Sequence, residues 1–251
     1  MATGERLAII ADIHANIWAL DAVLNHAKNR GATAFLNLGD ILYGPLKPRA
    51  TFERIMQENV LFTIRGNQDR YIFDASEDDR ASHSTLAYAI DDLGPEPIEW
   101  MRQLPKTGVF EDEVFLCHGT PESDTTYLLE DVSSGTPLIR SESEILAFLG
   151  AAEQRVVLCG HSHIPRFVEL ANEQTIVNPG SVGLPAYSDD SPVPHAMETF
   201  SPRASYAILD RGPEEWNVSF YRVLYDHYAA AEQAKSLGRD DWAQGIATGR
   251  M

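Results

Sequence analysis

Two cysteines in 251 residues are too few for a disulfide-built scaffold, and neither stands where a thiolate metal ligand would be expected. Cys117 and Cys159 each end an apolar run, so two buried free thiols are expected rather than one disulfide, which suits a reducing cytoplasm. Basic residues are also scarce. There are 20 Lys and Arg against 37 Asp and Glu, for a formal charge of -17. Such a surface repels long polyanions and excludes a broad, sequence-independent grip on DNA or RNA, while a local positive site for a short phosphorylated ligand remains open. No apolar run approaches the roughly 20 residues of a membrane span. The start, "MATGERLAIIAD", turns acidic at once with no cleavage-like segment, so no membrane association is expected. Repeats, coiled-coil heptads and low-complexity tracts are likewise missing.

What is present is a chain long enough to bury a large core. Apolar runs at 7–11, 35–38 and 60–64 read as strands buried on both faces. Between the first two lies a helix capped by Asn16, striped by Leu20, Val23, Leu24 and Ala27, and ended by Gly31. Another helix is expected at 49–58. Strand, helix, strand, helix, strand implies a mainly parallel sheet. Helices follow at 84–91 and 98–104 across the breaker "LGPEP", with buried strands at 114–117 and 156–159. After Pro165, "RFVEL", "TIVN", "SYAILD" and "WNVSFYRVL" suggest shorter antiparallel strands. Residues 120–141 and 185–203 are expected as substrate-side loops, and a helix from about 227 to 235 precedes a polar tail. Neither loop looks like a linker, so residues 1–251 are read as a single domain.

Five apolar strands run straight into metal-capable side chains: "IIADIHAN" (Asp12, His14), "LNLGD" (Asp40), "TIRGN" (Asn67), "FLCHG" (His118) and "VLCGHSH" (His161, His163). The C-terminal ends of parallel strands share one edge, where open α/β proteins bind ligands. Singly, an aspartate can cap a helix, a histidine can be a hydrogen-bonded core residue and an asparagine can hold a turn. Jointly, each would need a separate partner to offset burial of a polar group, and convergence on metal explains all of them at once. Carboxylates, one amide oxygen and four imidazoles suit two divalent ions of Mn, Fe, Zn, Co or Ni better than Ca, with Mn favoured for activity. Two ions and a bridging hydroxide would outweigh the two aspartates by about +1, attracting a phosphate ester. In "HSH", extended alternation would turn His161 and His163 toward different ions.

This ordered set resembles the calcineurin-like metallophosphoesterase superfamily, through Asp12-x-His14, Gly39-Asp40, Gly66-Asn67, His118-Gly119 and Gly160-His161-x-His163, with "NPGSVG" at 178–183 similar to its compact bacterial and archaeal phosphodiesterase-like members. The resemblance implies a four-layer α/β/β/α sandwich of two mixed sheets, in which the parallel opening strands and the later antiparallel ones pack together. It implies that Asp12, His14 and His163 bind the first metal, that Asn67, His118 and His161 bind the second, and that Asp40 bridges them. Gly39, Gly66, Gly119 and Gly160 would leave room for backbone to approach the centre.

Two departures shape the functional reading. Many family members carry His after the metal-binding Asn, where this chain has Gln68. Glutamine can donate a hydrogen bond but supplies no proton to a poor leaving group, so monoester hydrolysis should suffer most. The long "GDxxDRG" pattern that marks Ser/Thr protein phosphatases is replaced by "GDILYGPLKP". The expectation is therefore a metal-dependent phosphoesterase that hydrolyses phosphodiesters by attack of a metal-bridging hydroxide, with Asp40, Asn67 and Gln68 as catalytic residues. Arg65, Arg70, Arg80 and His83 are candidates to offset substrate charge, and the partner is a small phosphorylated molecule such as a nucleotide. Phosphomonoesterase or phosphoprotein phosphatase activity is the alternative. A nucleotide sensor or protein-binding scaffold on the same fold is the non-enzymatic one. Ser181 is not read as a nucleophile, because "NPGSVG" lacks an elbow pattern and better serves as a turn that holds a histidine in place.

Overall fold

The computed structural model describes residues 6–212 and 215–251, so part of the opening stretch read above, residues 1–5, lies outside the described residues. β1 (Arg6–Ile10), α1 (Ile17–Asn29), β2 (Ala34–Asn37), α2 (Pro48–Ile55) and β3 (Val60–Thr63) follow the expected alternation. Then come α3 (Asn67–Asp74), α4 (Glu77–Ser82), α5 (Ser84–Leu93), α6 (Pro95–Gln103), β4 (Thr107–Phe110), β5 (Val114–Cys117) and the short β6 (Glu130–Asp131) and β7 (Leu138–Ile139). They are followed by α7 (Glu142–Leu149), β8 (Val156–Leu158), β9 (Arg166–Glu169), β10 (Thr175–Asn178), β11 (Ala186–Asp189) and β12 (His195–Glu198). β13 (Ala204–Arg211), β14 (Trp216–Val223), α8 (His227–Ser236) and α9 (Asp240–Thr248) complete the order.

Local chemistry explains the boundaries. Asn16 Oδ1 accepts from the Ala19 amide at 3.1 Å and opens α1, whose expected apolar stripe is buried. The "LGPEP" breaker does more than separate two helices, since Pro95 occupies the first turn of α6, where its fixed φ and missing N–H are tolerated.

The first sheet has the order β14-β13-β1-β2-β3 and the second β4-β5-β8-β10-β9. β1, β2 and β3 are parallel, and so are β5, β8 and β10, while β13, β14, β4 and β9 add antiparallel pairs. The late antiparallel strands are therefore divided between the sheets, with β13 inserted directly beside β1. Both of these strands are apolar on both faces, and such a run identifies a central strand without naming its neighbour.

Four layers result. Leu7 and Ile9 of β1 point toward Val114, Leu116, Leu158 and Val177 of the other sheet, and the intervening Ala8 and Ile10 point toward Leu20 and Leu24 of α1. On the far side Ile145 and Leu149 of α7 cover Val157 and Ile176. Each fully buried aliphatic side chain contributes about 1.5–3 kcal/mol, so the strand ends are fixed by the core behind them.

Three segments differ from expectation. Residues 120–141 contain the β6–β7 pair and 185–203 the β11–β12 pair, each antiparallel. The polar tail after α8 folds as α9 and packs on α8 and β11. Cys117 and Cys159 are buried free thiols, as expected. No helix among the described residues is long and apolar enough to cross a membrane.

Candidate metal centre

The strand ends deliver the polar residues to one place. Asp12 and His14 follow β1, Asp40 follows β2, Asn67 opens α3 after β3, His118 follows β5, and His161 and His163 follow β8. The chain turns sharply after β1, β2 and β8: Asp12, His14, Asp40, His161 and His163 have φ between 49° and 68°. Non-glycine residues in this left-handed region carry strain of order 1–3 kcal/mol each, retained where surrounding structure over-determines them. This corrects the reasoning for "HSH". His161 and His163 do join different groups, but through two left-handed residues and not through the alternation of an extended strand.

Two buried triads form, Asp12 with His14 and His163, and Asp40 with His118 and His161. Within the first, His14 Nε2 lies 3.1 Å from His163 Nε2, which is 3.4 Å from Asp12 Oδ1. Within the second, His118 Nε2 is 3.4 Å from Asp40 Oδ2 and 3.1 Å from Asn67 Oδ1. The triads share an edge, because Asp40 Oδ2 is also 4.0 Å from His14 Nε2, and Asp12 Oδ1 is 3.9 Å from His118 Nε2.

Ring tautomers show what these contacts require. His163 Nδ1 donates to the Leu184 carbonyl at 2.6 Å, His118 Nδ1 to Leu38 at 2.8 Å, and His14 Nδ1 to Tyr43 at 3.3 Å. With its remote nitrogen donating, each ring has only Nε2 left to meet the facing imidazole nitrogen, carboxylate oxygens or Asn67 oxygen, either through a proton or by giving its lone pair to a cation. A cation placed between them can take the lone pairs of both facing groups at once, and a carbonyl on the remote ring nitrogen is the usual support of a metal-bound histidine. The donor set thus fits two divalent transition-metal ions.

Electrostatics point the same way. Burial pushes His14 down to about 4, helped by His163, and His161 down to about 4, helped by His118, so both imidazoles are neutral ligands at pH 7. Burial opposes charge on His118 as well, yet the Asp40 and Asp12 carboxylates raise it to about 10. Burial likewise opposes ionisation of Asp12 and Asp40, but His163 acting on the former and His118 on the latter hold both below the ordinary carboxylate range. The centre attracts positive charge.

Supporting contacts aim the ligands. Asp40 Oδ1 accepts from the Gln68 amide at 2.8 Å, which turns Oδ2 toward the triads. Gly66 passes so close that a Cβ there would overlap the Asp40 carboxylate. Ser181 Oγ donates to the Asp12 carbonyl at 2.7 Å, and Asn178 Nδ2 to the Gly160 carbonyl at 2.8 Å, so "NPGSVG" does hold the ligand loops. Asp69 accepts from the amides of Asp40, Ile41 and Gly66 at 2.8–2.9 Å and ties two ligand loops together.

Sequence reasoning missed a second support. Tyr127 stacks on His161 with ring centroids 4.6 Å apart and donates to His195 Nε2 at 3.0 Å, while the Tyr187 hydroxyl donates to the His161 carbonyl at 2.9 Å. These residues lie in the two segments read as loops, where no periodicity marks a packed aromatic.

A cavity of about 190 Å³ opens over the centre, lined by His14, Asp40, Asn67, His161 and His163 and by Gln68, whose Oε1 is buried without a partner. The lining also includes Asp189, Arg239, Asp241 and Trp242. Arg65, Arg70, Arg80 and His83 stand outside it. Arg65 packs over Phe73, Arg70 pairs with Asp124 at 2.7 Å, Arg80 pairs with Asp91, and His83 packs edge-on against Tyr71.

The sandwich and its two edge-sharing triads define a dinuclear-metal phosphoesterase site. The calcineurin-like phosphoesterase superfamily domain matches residues 6–210, and the chain belongs to that family. A metallophosphoesterase from Sphaerobacter thermophilus superposes with a TM-score of 0.76 at 24% identity, covering 98% of this chain and 99% of that one. A Vps29 variant from Entamoeba histolytica shares the fold more distantly, with a TM-score of 0.50 at 16% identity over 86% of this chain and 92% of that one. The uncharacterized protein MJ0912 of Methanocaldococcus jannaschii is 25% identical over 248 residues, 94% of each chain.

Proposed function

We propose that this protein hydrolyses small phosphodiesters in preference to monoesters. In this reading Asp12, His14 and His163 would hold one ion, Asn67, His118 and His161 would hold the other, and Asp40 would be shared between them. The observation that carries the reading is the meeting of histidine lone pairs and carboxylate oxygens across one shared edge. When bound, the two ions supply Lewis acidity that polarises a phosphoryl group and renders water nucleophilic at neutral pH. Manganese is favoured for activity among the ions this nitrogen and oxygen set accepts.

One residue of this chain favours the diester. Gln68 lines the cavity and can orient an ester oxygen or water by hydrogen bonding, but it has no proton to transfer, so good leaving groups and low charge are preferred. Asp189, Arg239 and Asp241 also line the cavity, with Arg239 paired to Asp241 at 2.6 Å. The chain is read as one domain, supported by a core that joins both sheets, and as cytoplasmic, supported by two free buried thiols.

The test strips the protein of metal, restores Mn²⁺ and compares initial rates on bis-p-nitrophenyl phosphate and p-nitrophenyl phosphate. Diester turnover above monoester turnover, lost in Asp40→Asn, is expected. Absence of metal-dependent turnover on both would overturn the proposal.

A further inference from the structure

The cavity is amphipathic, and its apolar lining comes largely from outside the ligand loops. Besides the metal-binding side chains it is lined by Tyr43, Leu184, Tyr187, Trp242 and Met251. Trp242 lies on α9 and Met251 beyond it, in the stretch whose sequence reads as a polar tail.

That wall is built rigidly. The Trp242 ring is 9% exposed and stands edge-on to His14, with centroids 5.6 Å apart, and 6.2 Å from the Tyr43 ring. It also packs over Gly44 so closely that a Cβ there would come within 2.9 Å of it. The Arg239 guanidinium lies 5.4 Å from the Trp242 ring, grips Asp241 with two bonds of 2.8 and 2.6 Å, and donates to Thr85 Oγ1 of α5 at 2.6 Å. At the other end of α9 the Phe200 amide donates to the Gly249 carbonyl at 2.9 Å, and the Met251 amide to Glu198 Oε1 of β12 at 2.7 Å. The helix is thus tied to α5 at its start and to the β11–β12 pair at its end. It presents an indole to a metal ligand at fixed distance.

A phosphate ester has the same two-sided character, an anionic phosphoryl group and an alcohol-derived group that is often apolar. From this match we infer that Trp242, with Tyr43 beside it, is the surface on which the alcohol-derived group of the ester docks, and that the preferred group is a single aromatic ring or an apolar group of that size. The inference rests on the phosphoester reading above. Size supports it: drug-sized ligands occupy pockets of roughly 300–1,000 Å³, and an apolar cavity of about 150 Å³ holds one benzene ring. A cavity of about 190 Å³ accommodates a phosphoryl group with part of one ring inside and little more. Trp242 is a specificity residue in this account. It touches the ester's remote group, and the acceptor groups across the cavity hold the ions.

Phosphonates test this without turnover, because their C–P bond is not hydrolysed. Methylphosphonate and phenylphosphonate are titrated calorimetrically into the Mn²⁺-loaded protein, its Trp242→Ala variant and its Trp242→Leu variant, with Mn²⁺ stoichiometry and thermal unfolding recorded for each. Phenylphosphonate is expected to bind the parent about tenfold more tightly than methylphosphonate, as burial and edge or face contact with an indole would give. The preference should fall to about twofold in Trp242→Ala and to an intermediate value in Trp242→Leu. If Trp242→Ala fails to fold or to load metal, the isosterically closer Trp242→Leu decides, and an undiminished preference there overturns the inference. Equal binding of both phosphonates to the parent overturns it as well, while leaving the phosphoester reading intact. Failure of both phosphonates to bind the metal-loaded parent overturns that reading and this inference together.

Discussion

Replacing Asp69 by asparagine isolates a residue that touches neither ion in the proposed site yet ties together the loops that carry Asp40 and Asn67. Its carboxylate is fully buried and accepts three amides, those of Asp40 and Gly66 on Oδ2 and that of Ile41 on Oδ1. An asparagine has one acceptor oxygen. Its better orientation keeps the first two bonds and aims an NH₂ group at the Ile41 amide, leaving that buried donor unsatisfied at a cost of about 1–3 kcal/mol. The two retained bonds lose charge assistance, for roughly another 1 kcal/mol each. An opposing effect is present. Burial, followed by repulsion from Asp40, pushes the Asp69 carboxyl up to about 7 against the pull of its amide donors, so removal of the charge recovers part of the loss. Cations beside Asp40 would cancel the repulsion and expose the full cost. The net expectation is about 2 kcal/mol of destabilisation without metal, or roughly 4–8 °C in Tm, and a larger deficit with Mn²⁺. Mn²⁺ affinity should fall by about 10–100-fold, the usual consequence of losing a partner behind the ligands. Calorimetric Mn²⁺ titration and thermal unfolding with and without the ion provide the readouts. A Tm within about 1 °C of the parent and an affinity within about threefold would refute the argument that Asp69 organises the ligand loops.

Other perturbations give separate checks. If the triads hold ions only in the folded state, Mn²⁺ at about 100 times its Kd adds about 2.7 kcal/mol and raises Tm by roughly 5–11 °C, and chelation reverses the gain; an unchanged Tm would contradict the cation requirement. Gly66→Ala places a methyl group against the Asp40 carboxylate and amide, so the protein should bind fewer ions than its two triads allow, as metal analysis after gel filtration would show. Glu58 tests the electrostatics far from the site. Burial opposes its ionisation, but hydrogen bonds from Lys28 and Arg54 hold it below its ordinary 4.5. A folded value under the unfolded one means stability that is present above about pH 4.5 and lost as pH falls through the folded value. Glu58→Gln should therefore lower stability by about 1 kcal/mol at pH 7, with the gap closing in denaturant titrations below about pH 4.5.

The ligands were legible because of where their polarity falls. An apolar strand that ends in Asp, His or Asn presents a group that burial penalises, and five such endings, three in one sheet and two in the other, have a common explanation. The strand runs and the Asn16 cap were legible for a similar reason, since both depend on residues close in sequence. Pairing was not. β13 lies beside β1 because the second half of the chain returns to the first sheet, and no local pattern in "SYAILD" names that neighbour.

The C-terminal wall was hidden by a deeper limit. "RDDWAQGIATG" has two acids, two glycines within reach of its end and one large aromatic, a composition that describes a solvated tail as well as a helix. Trp242 acquires meaning only because Gly44 makes room for it and His14 stands beside it, almost 200 residues earlier in the chain. Backbone strain was hidden in the same way. The left-handed turns at Asp12, His14, Asp40, His161 and His163 are imposed on residues that gain nothing locally from that geometry. They are held by contacts from distant loops: Ser181 on the Asp12 carbonyl, Asp69 on the Asp40 amide, Leu184 on the His163 ring. Strain at the ligands and support behind them are thus two sides of one arrangement. Weakening the support should loosen the ligands before it unfolds the core, and for that reason Asp69→Asn is expected to show in Mn²⁺ affinity more strongly than in Tm.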